Sequence, residues 1–556
     1  MARVSQAELV RVLTGIVGAD NLSTSRPDKV AYSADFWPRA QIWKLAGEVE
    51  RYPPDCVVWP KDTAEITQIL AYCHEHLIPV VPFGGGSGVC GGTVPIRGGV
   101  VIDVKRLRRV LAVDPVSLTV SAEAGINGQH IEDHLNAAGL TLGHFPSSIM
   151  CSTLGGWLAA RSAGQFSSRY GKIEDMVLGL KVATPDGAVL DTAERAPGAP
   201  DWTQLIVGSE GTLGVITEAV LKVQPLPEAR RLRAYRFRHL ADGLKGARAV
   251  MQAGLRPIVL RLYDPFDSLM AFGKDPEQKT SPRTRPFDAI RSLLSSPSGG
   301  AHDDAPAKKV PGFLAKRLEP WSKKAKHAAI TTALSAPTLL NRLAQAAPSP
   351  CLMIVGFEGP AEAIHADAIA ADELLTACGG VDAGARLGES WLEHRYAVSF
   401  KQSRLYQLGA FVDTMEVATT WDRLETLYHG VRSALSPHVF IMAHFSHAYR
   451  EGCSIYFTFA GYRKDAARLE QHYERVWQLA TDAVVANGGT VSHHHGVGLS
   501  KMAAMPREHG EMLRVWRALK DAIDPHGVMN PGKLFPDTTE VAAGSAGGAA
   551  RSMVRS

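Results

Sequence analysis

The sequence predicts an α+β protein of two or more domains, and three observations carry that expectation. At 556 residues and 45% hydrophobic, the chain can bury more than one core. Short β-branched segments punctuated by turn residues run from Val57 to Val223. Beyond about Pro227 the pattern changes to strands alternating with long helical stretches such as Lys464 to Ala486.

Taken in order, residues 1–47 read as a helical segment. Val57-Val58-Trp59-Pro60 reads as a strand that precedes an amphipathic helix near Ala64 to His76. Further strands are expected at Val100-Val101-Ile102, Leu118-Thr119-Val120 and Leu178-Gly179-Leu180-Lys181-Val182, with Pro185-Asp186-Gly187 as a turn. Together, residues 48–228 make one compact nucleotide-binding domain. A second α+β domain covers 229–485, followed by a C-terminal segment, 486–535.

Inside the second domain, roughly Gly273 to Pro350 is rich in Pro, Ser, Ala and Lys and reads as a partly disordered, solvated insertion. The alternative is a surface helix that docks on anionic lipid, because Lys308-Lys309, Lys316-Arg317 and Lys323-Lys324-Ala325-Lys326 lie among Phe313, Leu314, Leu318 and Trp321. The tail, 536–556, is low in complexity and expected to be disordered.

With 60 basic and 56 acidic residues the formal charge is only +4, so no overall field calls for a nucleic-acid partner. Seven cysteines, an odd number without CxxC or zinc-like Cys/His spacing, argue against a disulfide framework and a structural metal. No stretch approaches the roughly 18 apolar residues of a membrane span, and Met1 to Val10 has no apolar region of signal-peptide type. The expected location is the cytoplasm, with at most peripheral contact at the inner membrane face.

The most telling stretch runs from Ile78 to Gly92. An apolar strand enters Pro82-Phe83-Gly84-Gly85-Gly86-Ser87-Gly88, where glycines let backbone N–H groups crowd an anion and Ser87 adds a hydroxyl. It reads as a pyrophosphate cradle, so a nucleotide cofactor is expected. Gly86 to Gly91 formally matches the dinucleotide fingerprint, with Asp103 suitably placed. A Rossmann turn must open a helix, however, whereas this loop leads into a second strand at Val100 to Asp103. Val207 to Thr217 is another glycine-flanked polar turn entering a strand.

Three clusters in the second half concentrate reactive groups. Ser492-His493-His494-His495-Gly496-Val497-Gly498 is open to general acid/base work, to anion binding, to a metal site without an acidic or cysteine partner, or to a plain surface loop. His444-Phe445-Ser446-His447 precedes Cys453 to Phe459, whose alternation puts Ile455, Phe457 and Phe459 on one face and Tyr456 on the other. Arg261 lies amid apolar residues on an expected strand and needs an anionic partner. A substrate phosphate or carboxylate would serve, and so would a salt bridge to Asp264 or another acid.

Pro82 to Gly92, Pro146 to Trp157 and Gly208 to Glu218, taken together, resemble the FAD-binding domain of the vanillyl-alcohol-oxidase/p-cresol-methylhydroxylase superfamily over nearly the full chain. Asn530-Pro531-Gly532-Lys533-Leu534 resembles its C-terminal signature. The resemblance implies a two-subdomain FAD-binding domain of this type, an α+β cap domain for substrate, and a C-terminal segment returning to the flavin. It implies noncovalent FAD held by Pro82, Phe83, Gly84, Gly85, Gly86, Ser87 and Gly88, and by Pro146, Ser147, Ser148, Ser152, Thr153 and Gly155. Arg161, Gly164, Glu210, Gly211, Thr212, Gly214, Val215 and Ile216 complete that set.

Within the superfamily, Ser492 to Gly498 resembles the most specific motif of the alkyldihydroxyacetonephosphate (alkylglycerone-phosphate) synthases. Flavin-linked D-lactate and glycolate dehydrogenases typically carry Gly-Glu-His-Gly there. The synthase resemblance implies chemistry without net redox: reduced flavin N5 displaces the acyl chain of acyl-dihydroxyacetone phosphate, and a fatty alcohol then displaces the flavin. Tyr456 would move the proton, His493, His494 and His495 would activate the alcohol or steady the leaving carboxylate, and Arg261 would bind phosphate. The family has an arginine followed by Asp at a position aligned with Gln402, so Lys401 or Arg404 would supply the missing cation, with His447 also in the substrate set. The alternative is an FAD-dependent dehydrogenase or oxidase of a 2-hydroxy acid or alcohol. The expected partners are a small-molecule or lipid substrate, an anionic membrane surface and a second copy of the chain, with no nucleic acid.

Overall fold

The computed structural model describes residues 4–193, 200–272, 328, 330–346, 349–396, 405–406 and 408–536. They divide into two units: one drawn from Met1–Ala40, Glu48–Pro227 and Gly489–Ser556, the other from Gln41–Gly47 and Glu228–Gly488.

In the first unit the β-branched runs build two sheets. β1 (Leu22–Ser23), β2 (Cys56–Val58), β3 (Val80–Phe83) and β4 (Val100–Asp103) take the order β1-β2-β4-β3, with β2 and β3 both parallel to β4. A parallel sheet needs crossovers, and the helix Thr63–Glu75 supplies the one from β2 to β3. Asp62 caps this helix, accepting the Glu65 amide at 2.9 Å. Its Ile66, Ile69, Leu70 and Cys73 share a core with Val58, Val80 and Ile102. The connection from β3 to β4 contains no helix, which excludes a Rossmann turn. Asp103 has a structural use instead: it accepts the Tyr32 hydroxyl at 2.5 Å and pairs with Lys105 at 2.6 Å.

The second sheet of this unit is antiparallel. β5 (Val110–Asp114), β6 (Thr119–Glu123), β8 (Val177–Ala183), β9 (Val189–Asp191) and β10 (Val215–Lys222) take the order β5-β6-β10-β8-β9, while β7 (Leu140–Thr141) pairs with β11 (Gln224–Pro225). The C-terminal segment comes back to β3. The Val80 amide donates to the Val528 carbonyl at 2.8 Å, and the Asn530 amide donates to the Val80 carbonyl at 2.7 Å. Val528 and Met529 thereby join the core beneath the glycine loop's strand.

The second unit is one antiparallel sheet of β12 (Ala229–Phe237), β13 (Val259–Tyr263), β14 (Cys351–Gly359), β15 (Val381–Asp382), β16 (Ala410–Thr420), β17 (Phe440–Ala448) and β18 (Gly452–Tyr462). Its order is β15-β12-β14-β13-β17-β18-β16. Strands β12, β13 and β14 with helices Leu240–Gln252 and Ala361–Ala377, and strands β16, β17 and β18 with helices Leu424–Leu435 and Ala466–Ala486, follow the same β-α-β-β-α course. The two halves meet where β13 pairs with β17, at Leu262–Phe445 and Tyr263–His444.

The four helices cover one face of this sheet, packing at Leu262, Tyr235, Phe445 and Phe459. By the two-residue period of a strand, Arg261, Tyr263, His444, Tyr456, Thr414 and Glu416 share the opposite face.

Part of the stretch from Gly273 to Pro350 is ordered: residues 330–335 are helical and a second helix spans Pro337–Ala346. Ile330, Leu334, Leu340 and Ala344 are buried at helical spacing, and the Asn341 side chain donates to the Val439 carbonyl at 2.8 Å. Those apolar positions outweighed the polar composition around them. The basic residues 308–326 and the tail from 537 onward lie outside the described residues.

Candidate active site

The loops assigned to the cofactor come together in the first unit through close backbone approach. A Cβ on Gly85 would overlap the Cys151 carbonyl oxygen, and one on Gly84 would overlap the Thr153 hydroxyl. The loop after β3 therefore lies directly against residues 151–153. Gly211 brings the third loop onto the same strand end, since a Cβ there would stand 2.9 Å from the Pro82 ring. Gly164 sits with its Cα edge against the Phe145 amide, and Gly155 against Ala124. The Gly208 and Glu210 amides donate to the Leu158 and Ala159 carbonyls at 2.9 and 3.0 Å.

Several of these side chains make hydrogen bonds within the protein. The Ser152 hydroxyl donates to the Ser148 carbonyl and accepts the Trp157 indole N–H at 2.7 Å. Ser147 is exposed and accepts from Gln165 at 2.9 Å. Arg161, in the left-handed region at φ 53°, donates to the Gln204 carbonyl at 2.9 Å and lies 3.7 Å from Glu174. The Thr212 hydroxyl donates to the Ser209 carbonyl at 2.7 Å. Gly214 leads into β10, where Val215 and Ile216 are buried.

Other polar atoms are left over. The Thr153 hydroxyl and both ring nitrogens of His144 are buried without a hydrogen-bond partner among the described residues. Buried polar groups are ordinarily satisfied, so a cradle free of Cβ atoms with an orphaned hydroxyl beside Gly84 fits a ligand that brings its own acceptors. FAD, with its pyrophosphate, fits this arrangement. Sequence reasoning missed His144; its one signal is a lone imidazole in the apolar run Leu140 to Pro146. Burial pushes its pKa down to about 3, so it is neutral near pH 7.

The histidine run is pinned to this cradle within the same unit. The Leu499 and Ser500 amides donate to the Cys90 carbonyl at 2.8 and 3.1 Å, and the Glu210 carboxylate accepts the Val497 and Gly498 amides at 2.5 and 2.9 Å. Just upstream, the Nδ1 atoms of His493 and His494 lie 2.9 Å apart, so one of them carries the proton that the other accepts. The His495 ring packs edge-on against His494, with 4.5 Å between centroids. Among the described residues, no group of three His, Cys, Asp or Glu side chains is arranged as metal ligands.

In the second unit, the polar face at the junction of β13 and β17 carries a chain of interactions. Arg261 Nη2 donates to His444 Nε2 at 2.7 Å, and His444 Nδ1 faces Asp267 Oδ2 at 2.9 Å. Arg261 also lies over the Tyr263 ring, 5.2 Å from its centroid. The Tyr456 ring stacks on His444 at 4.8 Å and 15°, and its hydroxyl donates to Thr414 Oγ1 at 3.0 Å. Burial pushes the Tyr456 phenol up to about 12, and burial followed by the Arg261 charge holds His444 well below its ordinary value.

Asp264, a sequence candidate for the partner of Arg261, is committed elsewhere. It pairs with Arg432 at 2.7 Å and accepts the Tyr428 hydroxyl at 3.0 Å and the Ala443 amide at 3.1 Å. Asp267, Thr414 and the supporting role of His444 are not evident from the sequence. His447 occupies the bulge between Ser446 and Ala448 at φ 50°, beside this cluster in sequence. Lys401, Gln402 and Arg404 lie outside the described residues.

Residues 54–193 match the FAD binding domain family, and residues 226–534 match the C-terminal domain of FAD linked oxidases. The alkyldihydroxyacetonephosphate synthase of Dictyostelium discoideum is 30% identical over 96% of this chain and 81% of its own length. A solved alkyldihydroxyacetonephosphate synthase structure is similar at a TM-score of 0.71 and 27% identity, covering 95% of this chain and 85% of that one. p-Cresol methylhydroxylase shares the fold at a TM-score of 0.68 and 14% identity, over 96% and 97% of the two chains.

Proposed function

The chain belongs to the FAD-linked oxidase family and binds FAD, and on that premise we propose that it is an ether-lipid synthase. In this reading it exchanges the acyl chain of acyl-dihydroxyacetone phosphate for a fatty alcohol. The fatty acid leaves as its carboxylate, the alcohol oxygen takes its place, and nothing is oxidised overall. When bound, FAD supplies the nucleophile.

The observation that carries the reading is the chemistry of the polar face around His444. Oxidation of a hydroxy acid needs a free base there to take the alcohol proton. Both nitrogens of His444 are already engaged, by Arg261 and Asp267. What the face offers is a guanidinium for an oxyanion and a phenol, which suits a substrate that carries a phosphate and moves a proton at C1, the carbon beside its ketone. Tyr456 serves as proton acceptor and donor at C1, Arg261 holds the phosphate, and His493 to His495 activate the alcohol or steady the departing carboxylate.

The reading is tested with purified FAD-loaded protein, palmitoyl-dihydroxyacetone phosphate and hexadecanol under anaerobic conditions. Alkyl-dihydroxyacetone phosphate formed without an electron acceptor is the expected result. No ether product, with bleaching of the flavin by a 2-hydroxy acid or alcohol, would move the protein to the oxidases that share its C-terminal domain.

A further inference from the structure

We infer that His444 is a positioning residue, holding Arg261 for the substrate's oxyanion and Tyr456 for proton transfer. The roles it supports rest on the proposed synthase activity. His444 stands on β17 at the seam between the two halves of the sheet, opposite Tyr263 of β13 on one side and Tyr456 of β18 on the other. From that position it touches both working groups.

Its hydrogen bonds fix its chemical form. A guanidinium only donates, so the 2.7 Å contact with Arg261 Nη2 requires Nε2 to be an unprotonated acceptor. The proton of the neutral ring is then on Nδ1, donating to Asp267 Oδ2 at 2.9 Å. With both nitrogens committed, the ring neither turns nor takes a proton, and it offers Tyr456 a fixed plane at 15°. Tyr456 is in turn held at its far end by Thr414. Asp267 orienting an imidazole through Nδ1 is the logic of a carboxylate–histidine pair, applied here to a guanidinium rather than to a nucleophile.

Arg261 shows what the arrangement leaves available. One of its arms is spent on His444 and it also hydrogen-bonds the Tyr263 hydroxyl, while its Nε–H is buried without a hydrogen-bond partner among the described residues. An arginine clamped through one arm presents its remaining donors in a set direction, the condition for forked recognition of a phosphate. A direct Asp267–Arg261 pair would instead occupy the same donors that an anion needs.

The test uses the full-length FAD-loaded protein and titrates dihydroxyacetone phosphate calorimetrically into wild type, His444→Leu, Arg261→Ala and the double variant. His444→Leu is expected to weaken binding about tenfold or more, the usual cost of a charge-assisted hydrogen bond. If it acts through Arg261, the double variant binds no more weakly than Arg261→Ala alone. Unchanged binding in His444→Leu, or losses that simply add, would overturn the inference.

His444→Gln and His444→Asn provide the second arm if the leucine variant does not fold. The longer amide can keep an acceptor toward Arg261, and the shorter one only a donor toward Asp267. Gln is expected to bind dihydroxyacetone phosphate within about threefold of wild type, with turnover still reduced because the stack on Tyr456 is gone. Equal binding by the two variants contradicts the role. Persistent coupling between His444 and Arg261 without any ether product would uphold His444 and remove the synthase reading.

Discussion

Glu210 accepts the amide of Gly498 at 2.9 Å, and its other carboxylate oxygen accepts the neighbouring amide of Val497. Residues 288 positions apart in sequence are thereby joined, and the histidine run is fastened to the glycine-flanked loop that enters β10. Glu210 does this from the left-handed region, at φ 51°, an arrangement that costs a non-glycine residue and persists only where its surroundings demand it. The Asn530 side-chain amide adds a further tie, donating to the Glu210 and Gly92 carbonyls at 2.6 and 2.9 Å.

Glu210→Gln should loosen that fastening while keeping the shape. A carboxamide turns one acceptor into a donor, leaving it facing a backbone N–H. The expected loss is about 1–3 kcal/mol of stability, read as a lower Tm of the FAD-saturated protein, with weaker flavin retention on gel filtration. Unchanged Tm and flavin occupancy would show that the carboxylate does not tie the two loops energetically.

A second consequence concerns pH. Asp35 lies beneath the glycine loop, where a Cβ on Gly88 would stand 3.1 Å from its Oδ2. Burial pushes its carboxyl up to about 7, opposed by the Trp37 amide and by Lys533. Between the ordinary value of about 4 and this raised one, the folded protein keeps a proton that the unfolded chain has released. Stability from this group therefore falls as pH rises through that window.

Lys533, pushed down to about 8 by burial, loses its charge around pH 8, on the alkaline side of that window. Asp35→Asn should remove the slope, so that the Tm difference between variant and wild type moves in the variant's favour from pH 5 to pH 7. The full window corresponds to roughly 4 kcal/mol. Parallel Tm curves would show that Asp35 titrates normally.

The parts of the site legible in the sequence are those encoded locally. Gly84 and Gly85 announce themselves because a backbone packed against Cys151 and Thr153 admits no Cβ, and Tyr456 is readable because strand faces alternate every two residues. Arg261 is legible as a residue needing a partner, but the partner's identity is not. His444 lies 183 positions away and reaches it only through the register of β13 against β17. Asp264, nearer in sequence, turns instead to Arg432. Glu210 reads as a cofactor residue for a similar reason: its sequence neighbours suit a cofactor loop, whereas its carboxylate is directed by a segment arriving from the far end of the chain.

Gly85→Ala isolates the cradle. The new methyl would overlap the Cys151 carbonyl oxygen, a backbone atom that cannot swing away. The expected product is a folded but colourless protein, with far-UV circular dichroism like wild type and flavin absorbance lost. Wild-type flavin content in the alanine variant would mean that the two loops can separate without cost, and the cradle assignment would fail.

Tyr456→Phe tests the proposed proton shuttle directly. The phenol, pushed up to about 12 mainly by burial and further by Glu416, with the Thr414 hydrogen bond opposing, is protonated throughout the neutral range. Its resting form does not change across that range, so in the proposed reaction the wild-type rate should show no limb from this group between pH 6 and pH 9. Removing the hydroxyl leaves the ring stacked on His444 and Arg261 untouched, so KM for the phosphate substrate should hardly change. The turnover number should fall by about 10²–10⁴, the usual contribution of positioned proton transfer, with the flavin spectrum unaltered. Thr414→Val, which withdraws only the hydroxyl's acceptor, should cost less than the loss of the phenol itself. Near-normal turnover in Tyr456→Phe would take the proton from some other group and leave Tyr456 as a packing residue against His444.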